Sequence, residues 1–551
     1  MENIKIFALG GLDENGKSMY VVDYNNQLYV FDAGLRYPEE ALLGIDVILP
    51  GFQYLIAHKD CIKGFFLTHG HDENIGCLPF IIEEIGEVDV YATAFTLLAL
   101  SQTAQRFGKD ISPARFHEIK PNDTFVVNGM TLHTFSVTHG VPDACGFSME
   151  TENGQIVYPG DFILGFSNQP PYETNLPRIM ELAKKPTLAL LAESYNATYH
   201  GFVSPNNEMT RRFSQILDEV KGRVFISIYG QTIYQIKEIF TCAIKAKRKV
   251  FLYTKQIKET VELIQSEIKD SQIPTNIFTK NIFEHDCIVL VSELGNRVFQ
   301  LLKEIAVAND TSKSLKITSE DAFVIATPAH TGTERSFAGI LDELYRTNAQ
   351  IYNITKDFVT MHAGSEDLKT MISIFKPKYY IPVRGYYVKM VENAKLALDL
   401  GYNHRNIMVY DNGMVITFKD GELVNSPEQI QADEIMVDGI GIGDVGNVVI
   451  NDRRKLQQDG VMIIGVSFSM VTRKIVAGPD IQVSGIVINT SMADFNDKVA
   501  KCYSNTVYEF VQKPGLVDFN ELRTLCKERL QTLIKQEYDK EPMILPVIIS
   551  V

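Results

Sequence analysis

The segment Leu67-Thr-His69-Gly-His71-Asp72-Glu73-Asn74-Ile-Gly76 follows a short run, residues 64–68, that reads as a β-strand. Two histidines spaced two apart at a strand mouth can turn neutral imidazole nitrogens onto one cation. Alone, such a pair is as readily two surface histidines. Two later stretches add weight, Val137-Thr-His139-Gly-Val-Pro-Asp143 and Tyr158-Pro-Gly160-Asp161-Phe162, each placing a candidate ligand at the end of a predicted strand. Strand-end loops that offer His69, His71, His139 and Asp161 are what a hydrolytic metal site needs, with a position left for water.

Around this segment the first 200 residues read as short β-rich runs at 4–9, 19–24, 27–32, 64–68, 88–92, 131–138, 155–161 and 187–193. Helical periodicity lies between them at 73–85 and 94–106. Strand pairs interleaved with single helices predict sheets flanked by helices, an αββα layering. From about Asn206 the rhythm becomes strand–helix alternation, with 223–228 before 232–247 and 249–254 before 256–271. That alternation predicts βαβ units and a parallel sheet. From Gln429 a Gly- and acid-rich stretch reads as a linker. The last hundred residues predict a small α/β domain, with strands at 461–466, 474–476 and 543–551 and helices at 492–511 and 519–538.

The chain has 551 residues, enough for about three or four domains at roughly 150 residues each. Its formal charge is −15, which argues against a protein that coats DNA or a membrane surface by charge alone. A nucleic acid could bind such a chain only through a locally basic channel or through metal ions. The seven cysteines are scattered without a CxxC, which predicts reduced thiols and a cytoplasmic setting. The opening MENIKIFALGG has no cationic stretch before a long apolar one, and no run approaches the roughly 20 residues of a membrane span. The expectation is a soluble protein with no membrane association.

Residues Gly11-Leu-Asp-Glu-Asn-Gly16-Lys17-Ser18 match the phosphate-loop pattern GxxxxGK[ST]. That chemistry needs the loop to open a helix whose amides hold phosphate. Here Met19-Tyr-Val-Val-Asp-Tyr continues as strand, and Asp13 and Glu14 would face the phosphates. A hairpin loop is the better reading.

With these residues in place the chain resembles the metallo-β-lactamase superfamily, its β-CASP nucleases, and among them the ribonuclease J family. The resemblance runs nearly end to end. It is carried by Gly10-Gly-Leu-Asp-Glu-Asn-Gly-Lys-Ser-Met-Tyr-Val-Val22, Phe31-Asp32-Ala-Gly-Leu-Arg-Tyr-Pro38, Leu344-Tyr-Arg346 and Lys376-Pro-Lys-Tyr-Tyr-Ile-Pro-Val383. Gly443-Asp-Val-Gly-Asn447, Ala477-Gly-Pro-Asp480 and Pro542-Met-Ile-Leu-Pro-Val547 extend it to the end. The resemblance implies a discontinuous metallo-β-lactamase domain (1–205 and 360–430), an inserted β-CASP domain (206–359), a linker (431–449) and a C-terminal dimerisation domain (450–551). It also implies RNA cleavage, commonly 5′-to-3′ exonucleolytic with endonucleolytic cleavage as the other mode, using two divalent ions, zinc or manganese.

The departures from the family pattern are concentrated. The family reads HxHxDH where this chain keeps His69 and His71 but has Glu73 and Asn74. His139 and Asp161 match the remaining ligands of the first ion, Asp161 being the bridging carboxylate. A further ligand of the second ion is a histidine whose place is taken by Arg384 in Ile381-Pro-Val-Arg384-Gly385-Tyr386, and a guanidinium has no lone pair to give. The resemblance therefore implies at most one well-formed metal site. Arg384 beside Glu73 and Asp161 predicts a bidentate pair with a carboxylate.

The β-CASP acid appears as Glu193 and the motif histidine as His362, implying a proton donor and its orienting acid. Phe358, Val359, Thr360, Met361 and His362 stand where the family holds RNA phosphates. The family's Gly-rich phosphate loop becomes Val291-Ser-Glu-Leu-Gly-Asn-Arg297, better read as a helix cap, and Tyr234-Gln235 replaces a His-Arg pair near the nucleotide. His58, His117, His133, His200, His285, His330 and His404 read as packing or surface residues.

Three hypotheses follow: an active ribonuclease using one ion or two, a weakened paralogue that partners an active ribonuclease J, and a small-molecule hydrolase. The insertion and the C-terminal domain argue against the third. Glu73, Asn74 and Arg384 all fall on one ion's shell and favour the second, resembling the weakened paralogue that some bacteria carry beside an active one. Its expected work is mRNA decay and rRNA maturation, as a homo- or heterodimer.

Overall fold

The computed structural model describes residues 2–38, 44–165, 170–204, 208–267, 274–293, 297–307, 315–329, 333–355, 360–424, 428–439, 447–488, 490–512 and 517–551. Two sheets share one core. In the first, eight strands run in the order Glu422–Val424, Ile416–Lys419, Asn3–Gly10, Met19–Tyr24, Gln27–Phe31, Ile62–Phe66, Asp89–Ala92, Arg115–Glu118. In the second, six strands run Tyr379–Val383, Thr187–Glu193, Gln155–Tyr158, Cys145–Met149, Met130–Ser136, Thr124–Val127. Alternation along Asn3–Gly10 sends Ile4 and Ile6 inward, where they meet Leu191 and Ile381 of the other sheet together with Phe31, Phe66 and Phe147.

Helices cover the outer faces. Leu78–Ile85 and Ala94–Arg106 bury Phe80, Ile81 and Leu100 behind the first sheet. Leu176–Leu182 and Ser365–Phe375 bury Ile179, Leu368 and Met371 behind the second. The result is the four-layer αββα arrangement of a metallo-β-lactamase fold. The helix expected over 73–85 is broken into Asp72–Ile75 and Leu78–Ile85. Gly76 and Cys77 interrupt it, and Pro79 can start a new helix but not continue one.

Strands Thr187–Glu193 and Tyr379–Val383 pair in parallel, Glu193 opposite Val383. The chain between them builds a separate five-stranded parallel sheet, ordered Val250–Leu252, Ile288–Val291, Val224–Ser227, Ala322–Ile325, Gln350–Asn353. Its three central strands, Ile288–Val291, Val224–Ser227 and Ala322–Ile325, are buried along their whole length, as a sheet covered on both faces requires.

The phosphate-loop lookalike is a strand connection. Lys17 is buried, its ammonium paired with Glu14 at 2.8 Å and Glu434 at 2.5 Å, so it is unavailable to a phosphate. Part of the stretch read as linker is ordered: Ile435–Val437 pairs antiparallel with Val47–Leu49.

Contacts divide the chain into two compact units, the second comprising 443–551 with a short piece near residue 43. That unit holds a three-stranded sheet, Lys474–Ser484, Val461–Ser469, Met543–Ser550, with Met492–Val511 and Phe519–Tyr538 on one face. Its strands run longer than the sequence suggests, and the helix Asn447–Asp459 precedes them. The helices bury Phe495, Tyr503, Leu522 and Leu530 against Met462, Ile464 and Ile544. No helix among the described residues is long and apolar enough to cross a membrane.

Candidate metal centre

His69 and His71 leave the end of strand Ile62–Phe66, His139 follows Met130–Ser136, and Asp161 follows Gln155–Tyr158. The sandwich thus delivers four side chains from both sheets to one edge. His71 Nδ1 lies 3.1 Å from His69 Nε2 and 3.1 Å from His139 Nε2. His69 Nε2 is 3.4 Å from Asp161 Oδ2.

The outer nitrogens fix the tautomers. His139 Nδ1–H donates to the Met361 carbonyl at 2.6 Å, and His71 Nε2–H donates to the Gln231 carbonyl at 3.0 Å. Thr68 Oγ1 donates to the Asp32 carboxylate and so accepts from His69 Nδ1–H at 2.9 Å. Every proton is thereby on an outward nitrogen, and three bare lone pairs face one another. Burial and the neighbouring imidazoles hold His69 and His139 well below the usual histidine range, and burial lowers His71. Three neutral nitrogens this close repel unless a cation lies between them. Asp161 Oδ1 is buried without a donor, a further free oxygen in the same place. The donor set fits a divalent metal ion.

Arg384 meets the same Asp161 oxygen that lies near His69. It follows strand Tyr379–Val383 with a left-handed φ of 53°, and its Nη1 donates to the Asp161 carboxylate and to Asn74 Oδ1, the latter at 3.2 Å. Asn74 Nδ2 in turn donates to Asp32 Oδ2 at 2.9 Å, and Asp32 also accepts from Tyr158 at 2.8 Å and Thr68. Arg384, Asn74 and Asp161 are 5%, 0% and 1% exposed. The expected bidentate pair does not form, because Nη1 alone serves both acceptors and no bond reaches Glu73. Glu73 instead enters through its backbone, its carbonyl accepting from Ser18 at 3.0 Å. A Cβ on Gly34 would fall 1.5 Å from that oxygen, so only glycine fits there.

His362 donates from Nδ1 to Glu193 Oε2 at 2.6 Å, and Glu193 Oε1 accepts from the amides of Phe162 and Ala363 at 2.9 and 3.0 Å. A ligand atom of His362 lies within 4.8 Å of those of His139 and Asp161. Thr360 Oγ1 accepts from Asn196 at 2.7 Å. Met361 buries its side chain with Ile163 and Val203, so what it offers the site is its carbonyl. Phe358 and Val359 lie outside the described residues, as do His330 and residues 294–296 of the altered phosphate loop. Tyr234 is tied by its amide to Gly140 at 3.0 Å.

With this geometry established, comparisons place the chain. A profile described as Ribonuclease J C-terminal domain matches residues 448–551, and one described as Zn-dependent metallo-hydrolase RNA specificity domain matches 345–407. Ribonuclease J 2 of Staphylococcus saprophyticus is 30% identical over 99% of this chain and 98% of its own. The chain belongs to the ribonuclease J family. Ribonuclease J 2 of Staphylococcus epidermidis is likewise 30% identical, and that of Staphylococcus aureus 29%, each over 99% of this chain and 98% of the relative. A crystal structure of a protein of unknown function from Enterococcus faecalis V583 matches with a TM-score of 0.50 at 14% identity, covering 76% of this chain and all of that one, a likeness of fold.

Within this ribonuclease J family member several contributors carry no sequence signal. The Gln231 and Met361 carbonyls act through the backbone, which any residue provides. Tyr195 lies flat on His362, ring centroids 4.2 Å apart at 29°, and burial pushes its hydroxyl up to about 12. The sequence does hint at Asp32, buried at the strand end in Phe31-Asp32-Ala-Gly, but not at its place behind both Thr68 and Asn74.

Proposed function

We propose that this chain is an RNA-binding, ribonuclease J-type protein of RNA processing and decay whose own 5′-to-3′ hydrolysis is weak. The observation that carries the reading is the Arg384 guanidinium on Asp161 and Asn74, so that an arginine replaces a second-ion ligand that the family resemblance implies. His69, His71 and His139, with Asp161, would hold a first ion, zinc or manganese. When bound, that ion polarises water and a phosphate oxygen. His362 is placed to give a proton to the departing oxygen, with Glu193 holding its ring. Arg384 neutralises Asp161 but has no vacant orbital and cannot acidify a water molecule as a metal does. The pocket therefore keeps its charge balance while losing a source of hydroxide.

The same reading takes 1–205 with 360–430 as the metallo-β-lactamase domain, 206–359 as β-CASP, 431–449 as the connection and 450–551 as the dimerisation domain. It places the protein in the cytoplasm, paired with itself or with an active ribonuclease J paralogue in mRNA decay and rRNA maturation. A single-ion ribonuclease of ordinary activity is the second reading, favoured by the intact three-histidine cluster and the His362–Glu193 pair. Native mass spectrometry of metal content, with an exonuclease assay on 5′-monophosphorylated RNA, separates the two. Slow turnover with one ion bound supports the first reading. Metal-dependent turnover matching an active paralogue overturns it.

A further inference from the structure

His362 is built like the three histidines of the metal centre. His69, His71 and His139 each fix their outer nitrogen on a protein acceptor, at Thr68 Oγ1, the Gln231 carbonyl and the Met361 carbonyl. His362 does the same, with Nδ1–H on the Glu193 carboxylate at 2.6 Å. Glu193 is committed as an acceptor, because its other oxygen takes the amides of Phe162 and Ala363. A histidine that ligates a metal usually gives its second N–H to a carboxylate or a carbonyl, which orients the ring and raises its basicity. Nε2 is then the nitrogen that His362 can offer to a cation.

The ring is also within reach. Ligand atoms of His139, Asp161 and His362 lie within 4.8 Å of one another, as do those of His69, His71 and His139. Donors on one divalent ion lie up to roughly 4.2 Å apart, twice a bond of about 2.1 Å, so a small shift gathers either set. The two sets share His139, whose Nδ1–H is spent on Met361 and whose Nε2 alone is left for a metal. One lone pair serves one ion. The sets therefore surround a single position, and Asp161 joins them through the 3.4 Å approach of its Oδ2 to His69 Nε2.

Arg384 makes a further donor useful. It draws on that same Asp161 oxygen, which then has less to give a cation. An ion left with three neutral nitrogens and a shared carboxylate lacks a firm fourth donor, and His362 is at hand. Its ring is held by Glu193, by Tyr195 stacked at 4.2 Å between centroids, and by the edge of His139 at 5.2 Å. Met361, its neighbour in the chain, carries the carbonyl that fixes His139, so one loop positions both rings.

We propose that His362 is a fourth imidazole donor to the single ion, making the site nitrogen-dominated and selective for zinc over manganese. This rests on the reading that His69, His71 and His139 hold an ion. Imidazole suits zinc, whereas manganese favours the oxygens of carboxylates and water. A ring that gives Nε2 to zinc cannot at the same moment donate a proton from Nε2. The resting centre thus restrains its own acid, a source of slow hydrolysis beyond the lost second ion.

Crystals of the unaltered full-length protein loaded with zinc test this without any variant, with anomalous density locating the ion. The expected result is one peak about 2.0–2.1 Å from nitrogens of His69, His71, His139 and His362. In solution, cobalt titrated into the metal-free protein should bind roughly tenfold or more weakly in His362→Ala and in Glu193→Gln. His362→Ala should also change the visible absorption of the bound cobalt and reduce the preference for zinc over manganese in a competition titration. The proposal is overturned if the peak sits on three histidines with His362 apart, or if His362 carries a separate second peak. It is overturned too if His362→Ala matches the unaltered protein in cobalt affinity, spectrum or metal preference. No peak at His69, His71 and His139, or cobalt binding that His139→Ala leaves unchanged, overturns the metal reading itself.

Discussion

The guanidinium of Arg384 rests on the carboxylate of Asp161, and both are sealed from solvent. A charge pair this deep is held by mutual dependence more than by net gain, because each partner alone is an uncompensated buried charge. Arg384→Ala should therefore cost about 3–5 kcal/mol of folding stability, measured by urea unfolding. A loss of about 1 kcal/mol or less would match a solvent-exposed pair and contradict the burial.

Reversing the three departures together, Glu73→Asp with Asn74→His and Arg384→His, should let a second ion bind. Native mass spectra would show its mass, and hydrolysis of 5′-monophosphorylated RNA should rise above that of the unaltered chain. Spectra with the same metal content as before would mean that Arg384 is not what keeps the second ion out.

On the proposed reading, metal at the three histidines would bind the folded state and not the unfolded one, and so would stabilise by mass action, about 2.7 kcal/mol at a hundredfold excess over Kd. Zinc should raise the melting midpoint of the unaltered protein. In His139→Ala, which deletes one of three donors, that rise should largely vanish. An equal rise in both proteins would place the bound metal elsewhere.

Burial lifts Asp32 to about 6 from its ordinary 3.8. The folded state then holds a proton between roughly pH 4 and pH 6 that the unfolded chain releases. This contribution to stability is fully present below about pH 4 and is lost as pH rises through about 6. Above that the carboxylate is charged and is met by the Thr68, Asn74 and Tyr158 donors. Asp32→Asn, which cannot titrate, should flatten this stretch of the stability–pH curve whatever it does to stability overall. An unchanged slope would move the titration to another group.

The last eight-residue strand, Met543–Ser550, leaves Leu545, Val547 and Ile549 partly exposed on the sheet face away from its helices. Removing residues after 446 should give a monomer in light scattering. A truncated chain that retains the mass of an assembly would put the interface elsewhere.

The candidate ligands were readable in the sequence because metal chemistry accepts few residue types, and His69, His71, His139 and Asp161, which the fold brings together, each follow a strand run that β-branched and aromatic residues make visible. Arg384 was readable as a loss, since no guanidinium ligates a cation. Its geometry was not: the sequence suggests a two-pronged pair, while the left-handed backbone at Arg384 brings only Nη1 into contact. Strand Cys145–Met149 went unread because CGFSM is short and carries one bulky β-former, yet pairing on both sides fixes it. Met361 looked like part of a phosphate wall, but the small apolar space formed with Ile163 and Val203 takes its side chain. Such outcomes depend on partners hundreds of residues away, which local propensity does not contain.

The bond from His71 Nε2 to the Gln231 carbonyl makes one donor of the metal centre answerable to the inserted segment. If that segment swings away, His71 loses the acceptor that keeps its proton outward, and its inward lone pair is no longer assured. Ion affinity and closure of the cleft are then reciprocal quantities: whatever props the cleft open must weaken the ion, and the ion must resist opening by the same free energy.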